Sequence, residues 1–162
     1  MKSRCCRPFP GADVARDIQL LTKGFSPGKA LGLFAKAHPQ AGGIASFVGK
    51  VRPDGDVKVL ELVSYDRLTL PGMETLADEV ESRWSLDGLL IHHRTGHMRP
   101  GAPIVLVAAA ARHRREAFEA VDFAMDHLKS RSWFWKREKR GDSWHWIEPR
   151  EEDHRDAARW DA

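Results

Sequence analysis

Met125-Asp-His-Leu-Lys-Ser-Arg-Ser-Trp-Phe-Trp-Lys-Arg-Glu138 changes its period halfway along. Up to Lys129, the apolar residues Phe118, Val121, Met125 and Leu128 recur at three- and four-residue spacing, which predicts a helix over Arg115–Lys129. Beyond it, Phe134–Glu138 reads as a strand. A second alternating run, Trp144–Glu148, follows Lys139-Arg140-Gly141-Asp142-Ser143, a hairpin signal with Gly141-Asp142 at its tip. A helix that feeds an antiparallel hairpin points to an α+β domain. Lys129 closes the helix and Lys136 sits in the strand, with Arg131, Arg137, Lys139 and Arg140 nearby. Packing alone rarely wants so many cations beside Trp133, Phe134 and Trp135, whereas an anion carrying a flat ring would want both. Complementing the helix dipole is the plainer account of Lys129.

Upstream, strands and helices alternate. Asp17–Leu21 reads as a short strand, and Ser26-Pro27-Gly28 opens a helix whose apolar stripe, Ala30–Ala37, stops before Pro39. Gly42–Gly49 is a glycine-flanked strand running into Lys50-Val51-Arg52 and the turn Pro53-Asp54-Gly55-Asp56. Basic residues where a strand meets a loop suit a binding group and suit an ordinary solvated edge equally well. Val57–Tyr65 alternates as a strand. Pro71-Gly72-Met73 opens a helix through Trp84 with an apolar stripe, and Leu89–Arg94 and Ile104–Ala110 complete the strands. His113 ends the last of these just before Arg114 and Arg115, as a helix-start residue or as a functional one. Arg150–Trp160 reads as a charged helical tail. The sheet expected is mainly antiparallel or mixed.

At 162 residues the chain is long enough for one domain with a real core, and a 42% hydrophobic and 30% charged composition is that of a globular protein. Its longest apolar run, Ile104–Ala111, is strand-length rather than membrane-length, and the start lacks a secretory apolar segment, so a cytoplasmic protein is expected. Residues 1–16 read as a poorly ordered lead-in and 17–162 as the domain. With 26 basic against 23 acidic residues, the total charge does not call for a long polyanion; the clustering at Lys129–Arg140 matters more. Cys5 and Cys6 are the only thiols and are adjacent, which suits neither a disulfide nor zinc. His92, His93 and His97 have no ligand partner at a recognisable spacing and read as structural or surface residues. Any sulfur this protein handles must therefore arrive on another molecule.

Read in order, Phe47-Val48-Gly49-Lys50-Val51-Arg52, Pro71-Gly72-Met73, His93-Arg94-Thr95-Gly96 with Pro100-Gly101, His113-Arg114, Leu128-Lys129-Ser130-Arg131, Phe134-Trp135-Lys136-Arg137-Glu138 and Glu148-Pro149-Arg150-Glu151 with Arg159-Trp160 carry a resemblance over about Asp17 to Trp160. The chain resembles the catalytic (large) subunit family of molybdopterin synthase. That resemblance implies an α/β hammerhead with an added antiparallel β subdomain, through which two copies dimerise within a heterotetramer. It implies a small ubiquitin-like partner whose C-terminal glycine carries a thiocarboxylate, and sulfur transfer to cyclic pyranopterin monophosphate to form the molybdopterin dithiolene. No metal and no cofactor is implied for the step.

By the same resemblance Lys129 and Lys136 are the catalytic pair. Lys129 is expected nearest the thiocarboxylate as a proton shuttle, and Lys136 to position substrate and stabilise developing negative charge. Neighbouring cations favour a neutral lysine amine, which makes such a group a usable proton acceptor. Lys50, Val51 and Arg52 are implied as substrate-binding, Arg52 through the fork of its guanidinium. His113 and Arg114 are implied to reach in from the other protomer, and Arg137, Glu138 and Arg150 complete the expected pocket. Three departures stand out. Asp66-Arg67-Leu68-Thr69-Leu70 is inserted before Pro71, Val63-Ser64 replaces a usual Glu-His, and Trp133 stands where proline is common. Two competing classes remain: a small nucleic-acid-binding module that stacks bases on Trp133, Trp135, Trp144 and Trp146, and a non-catalytic binder of a ubiquitin-like tail.

Overall fold

The computed structural model describes residues 16–131 and 133–161. The expected lead-in 1–16 therefore lies, apart from Arg16, outside the described residues, and Cys5 and Cys6 lie there too. The chain enters β1 (Arg16–Leu21), passes through α1 (Pro27–Ala37) and returns as β2 (Gly43–Lys50) and β3 (Val57–Ser64). Helix α2 (Thr69–Arg83), strands β4 (Leu86–Arg94), β5 (Gly96–Met98) and β6 (Pro103–Ala111), and helix α3 (Arg114–Ser130) follow. The hairpin β7 (Phe134–Arg140) and β8 (Ser143–Ile147) leads to α4 (Glu151–Ala158) and a closing 3-10 turn, Arg159–Asp161.

Two four-stranded sheets result, ordered β1-β4-β6-β2 and β5-β3-β7-β8. Among the described residues, β1 and β4 pair in parallel and every other strand pair is antiparallel. This is the α+β arrangement expected, an α/β hammerhead with an added antiparallel subdomain. In the larger sheet β4 and β6 are covered on both faces. Leu89, Ile91, Val107 and Ala109 meet Met73, Leu76 and Val80 of α2 and Ala120 and Phe123 of α3. Leu90, Leu106, Ala108 and Ala110 meet Phe34 of α1 on the other side. Double coverage explains why both strands read as unbroken apolar runs rather than alternating ones. The smaller sheet covers one face only, with Val51, Leu60, Leu62 and Met98 packed against Phe134 and Ile147.

Local signals were mostly obeyed. Ser26 caps α1, its hydroxyl accepting from the Lys29 amide at 3.3 Å, with Pro27 in the first turn. Gly141 takes φ +56° in the two-residue turn joining the Arg140–Ser143 pair. Two starts moved by two residues or more. Strand β4 starts three residues before the expected Leu89, because Leu86 and Gly88 pair with Ala111 and Ala110. Helix α2 starts at Thr69 rather than Pro71, so the inserted stretch supplies its first turn; proline is tolerated there because no intrahelical partner exists for its missing N–H.

Candidate active site

Lys136 is placed by strand pairing. It stands opposite Leu62 on one side and Ile147 on the other, so its side chain leaves β7 on the face that carries Leu60, Leu62 and Phe134. Burial there pushes the ammonium below the ordinary lysine value; Asp153 opposes that, and the charges of Lys129 and Arg150 add to it. The charges of two cations from neighbouring elements, Lys129 in the last turn of α3 and Arg150 at the cap of α4, thus reach Lys136 in β7. The direction is the one expected from neighbouring cations, but loss of water is the larger cause.

Helix α4 is pinned where it must be to contribute. The Trp160 indole N–H donates to Asp126 Oδ2 at 2.7 Å, and Arg159 reaches Asp122 and Asp126 at 2.7 and 2.8 Å, both acids on α3. At the other end of α4, Asp153 Oδ2 accepts from the Arg150 amide at 3.1 Å. Asp153 was missed in the sequence, where it reads as one more acid of a helix first turn.

His93 lies behind Lys136. Its ring stacks on Phe134 at 4.0 Å and 20°, and its Nδ1–H donates to the Arg94 carbonyl at 3.1 Å. Burial, opposed by the hydrogen bond to the Arg94 carbonyl and helped by the Lys136 charge, pushes its pKa down to about 4. It is a neutral structural ring beside the site. His92 and His97 pair with single carboxylates, Asp17 at 2.8 Å and Glu61 at 3.0 Å. Among the described residues no group of three or more potential ligands gathers as a metal site.

Strand β2 brings its basic end to the Lys129 end of α3. It starts against the helix N-terminus, where a Cβ at Gly43 would lie 3.3 Å from Arg114 Cα. Farther along, Ala45, Ser46 and Phe47 share a groove of about 440 Å³ with Phe118, Val121, Met125 and Lys129. The strand therefore delivers Lys50 and Arg52, both exposed, beyond that groove. Val51 itself is buried at 4% exposure, its amide donating to Ala102 O at 2.9 Å and its carbonyl accepting from Gly101 at 2.7 Å. Val51 anchors the turn, with its side chain buried and its amide and carbonyl each holding a backbone partner.

Two further expectations meet the geometry differently. Arg137 leaves β7 on the face opposite Lys136, as strand alternation requires. There it is ion-paired with Glu61, which is itself only 15% exposed, and lies over the rings of Trp144 and Trp146 at 4.4 and 5.4 Å. Glu138 shares the Lys136 face and pairs with Arg140 at 2.8 Å. His113 and Arg114 start α3, and that helix holds them about 23 Å or more from Lys129 at 1.5 Å per residue. Within one chain they do not join the lysines.

A family model described as MoaE protein matches residues 22–131. The molybdopterin synthase catalytic subunit of Caulobacter vibrioides is 41% identical over 145 residues, covering 89% of this chain and 97% of its own length. Among solved structures, the molybdopterin biosynthesis MoaE protein of Burkholderia ambifaria superposes with a TM-score of 0.78 at 35% identity, covering 91% of this chain and 99% of its own. A complex of subunits 1 and 2 of molybdopterin-converting factor from Helicobacter pylori contains a chain with a TM-score of 0.72 at 17% identity, covering 82% of this chain and 91% of its own, and shows the shared fold.

Proposed function

Since this chain belongs to the family of molybdopterin synthase catalytic subunits, enzymes of molybdenum cofactor biosynthesis, we propose that it transfers sulfur from the C-terminal thiocarboxylate of a small ubiquitin-like partner to cyclic pyranopterin monophosphate. The observation that carries the reading is the Lys136 amine, kept below its ordinary pKa in a half-buried place beside Lys129 and Arg150. A phosphate-bearing pterin would find three cations there, and a lysine that gives up its proton easily can act as a base. Two transfers build the dithiolene. In each, the thiocarboxylate sulfur bonds to a substrate carbon as a carbon–oxygen bond there breaks, the oxygen leaving as water or on the phosphate. Water then adds to the acyl carbon, the acyl carbon–sulfur bond breaks, and the tail leaves as a carboxylate while the sulfur stays on the substrate. No oxidant or reductant is consumed, and no thiol of this chain is needed.

Lys129, exposed at the open end of the groove, serves as the proton shuttle nearest the tail, and Lys136 orients substrate and carries developing charge. Arg52 and Lys50 bind anionic groups from the β2 end, and Arg150 from the α4 cap. His113 and Arg114 act in the site of a second copy, since α3 is too long for them to act in their own. The working unit is then a dimer of this chain with two small partners, in the cytoplasm. Among the described residues no helix is long and apolar enough to cross a membrane.

The nucleic-acid reading loses part of its support, because Trp133 is buried and Arg137 lies over the Trp144 ring, although Trp135 and Trp146 stay exposed. The deciding experiment mixes the purified protein with thiocarboxylated partner and cyclic pyranopterin monophosphate. Molybdopterin formed only when both proteins are present supports the proposal. Partner binding without product would leave a tail-binding scaffold instead.

A further inference from the structure

The two lysines are seven residues apart in sequence, and helix α2 holds the chain between them at both ends. The Arg131 guanidinium closes a two-pronged pair on Glu79, with Nη1 at 2.9 Å from one oxygen and Nη2 at 2.6 Å from the other. Two residues on, the Trp133 carbonyl accepts from the Thr69 hydroxyl at 2.7 Å, while that hydroxyl accepts from the Tyr65 amide at 2.9 Å. Thr69 is completely buried, and the Trp133 ring lies so close to Gly72 that a Cβ there would stand 2.5 Å from it.

We infer that Thr69 is a positioning residue for Lys136: its hydroxyl, with the Glu79–Arg131 pair, fixes where β7 begins relative to the end of α3. The inference rests on the proposed role of the lysine pair and goes beyond it, since neither Thr69 nor Glu79 touches Lys129 or Lys136. Two features of the hydroxyl support it. It uses donor and acceptor together, so no other small side chain except serine reproduces it. It also ties backbone to backbone across 64 residues, at the last fixed point before Phe134 and Lys136. A bond serving only to hold α2 could have ended anywhere on the sheet; this one ends three residues before the lysine.

The charges that reach Lys136 come from two elements, Lys129 from α3 and Arg150 and Asp153 from α4, while the Lys136 charge in turn reaches the neutral His93 ring of β4. A shift of β7 alters its distance from all of them and its burial, and so alters its titration.

The test uses the full chain with its thiocarboxylated partner and compares Thr69→Val, which keeps the shape without the hydroxyl, with Thr69→Ser, which keeps the hydroxyl. Turnover and the NMR titration of Lys136 Nζ are read in each, the signal being assigned by its loss in Lys136→Met. Thr69→Val is expected to lower kcat about tenfold, the scale of a sub-ångström misplacement, with KM for the partner unchanged. The Lys136 titration should move toward the ordinary lysine range, and Thr69→Ser should restore both. Wild-type kcat and titration in Thr69→Val overturn the inference, as does a Thr69→Ser variant as impaired as Thr69→Val. Should Thr69→Val fail to fold, Glu79→Gln carries the same two readouts under the same criteria. Lys136→Met that still turns over would overturn the proposed role of the lysine. In that case the Nζ titration in Thr69→Val still decides the positioning on its own.

Discussion

Lys136 stands opposite Leu62 in the β3–β7 register, so a potential ammonium emerges among the apolar side chains of the small sheet. Its depressed pKa is therefore a cost to the fold. The unfolded chain binds that proton more tightly than the native one, so native stability rises with pH from the folded pKa of Lys136 up to the ordinary value of 10.5. Lys136→Met is expected to abolish that rise, to melt no lower than wild type at pH 7, and to lose at least about 100-fold in turnover, the usual scale for a positioned proton-transfer group. Denaturant titrations at pH 7 and pH 10 together with turnover separate the outcomes. A marked loss of stability at pH 7 would mean that the lysine is structural.

His93 gives the fold an acid sensitivity of known sign. Its ring titrates near 6.5 when unfolded and at about 4 in the native state, so protons favour the unfolded chain as pH falls through that window. The penalty is absent above pH 6.5 and fully developed below pH 4, reaching roughly 3 kcal/mol at 1.4 kcal/mol per unit. His93→Gln, which cannot titrate, should flatten the wild-type decline between pH 6.5 and 4. Urea midpoints of both proteins across that range check it, and parallel declines would show that other groups carry the acid sensitivity.

These two residues mark how far the sequence could be read. Elements with a strong period, α3 and the β7–β8 hairpin above all, were legible because local pattern and final packing agree. The burial of Lys136 was not, since it depends on β3 arriving from over 70 residues away to set Leu62 beside it. The separation of Lys136 from Arg137 could have been read, because adjacent strand residues point to opposite faces; the family resemblance, which groups them, obscured it. Thr69 and Glu79 carry no motif at all. Their role exists only because α2 lies against the connection between α3 and β7.

Arg137 and Glu61 form a pair on the far face of the small sheet, with Glu61 only 15% exposed and Arg137 32%. Their hydrogen bond holds the Glu61 carboxyl below its ordinary pKa against the opposing effect of burial. Arg137→Ala leaves that carboxylate without its main partner and is expected to cost about 1–3 kcal/mol. Turnover per folded molecule should change little, because the guanidinium points away from Lys136. The double variant Arg137→Ala, Glu61→Gln should recover part of the loss. A large fall in turnover with stability intact would return Arg137 to the substrate-binding set.

The length of α3 makes a sharp prediction about assembly. Lys129 and Arg114 sit near opposite ends of its 17 residues, about 23 Å apart, so one chain cannot bring both to one substrate. If a two-fold partner supplies Arg114, each site of the dimer is built from Lys129 of one copy and Arg114 of the other. Lys129→Ala and Arg114→Ala dimers are then each inactive, yet mixing them and allowing exchange creates dimers with one intact site and one doubly defective site. Random exchange makes half of the dimers mixed, and half of their sites work, so about a quarter of wild-type turnover should return. Exposed Lys129 and Arg114 contribute little to packing, so both variants should fold and exchange normally. Activity of the mixture no greater than the sum of the two separate variants, with exchange verified by differently tagged chains, would exclude a shared site and confine the chemistry to one protomer.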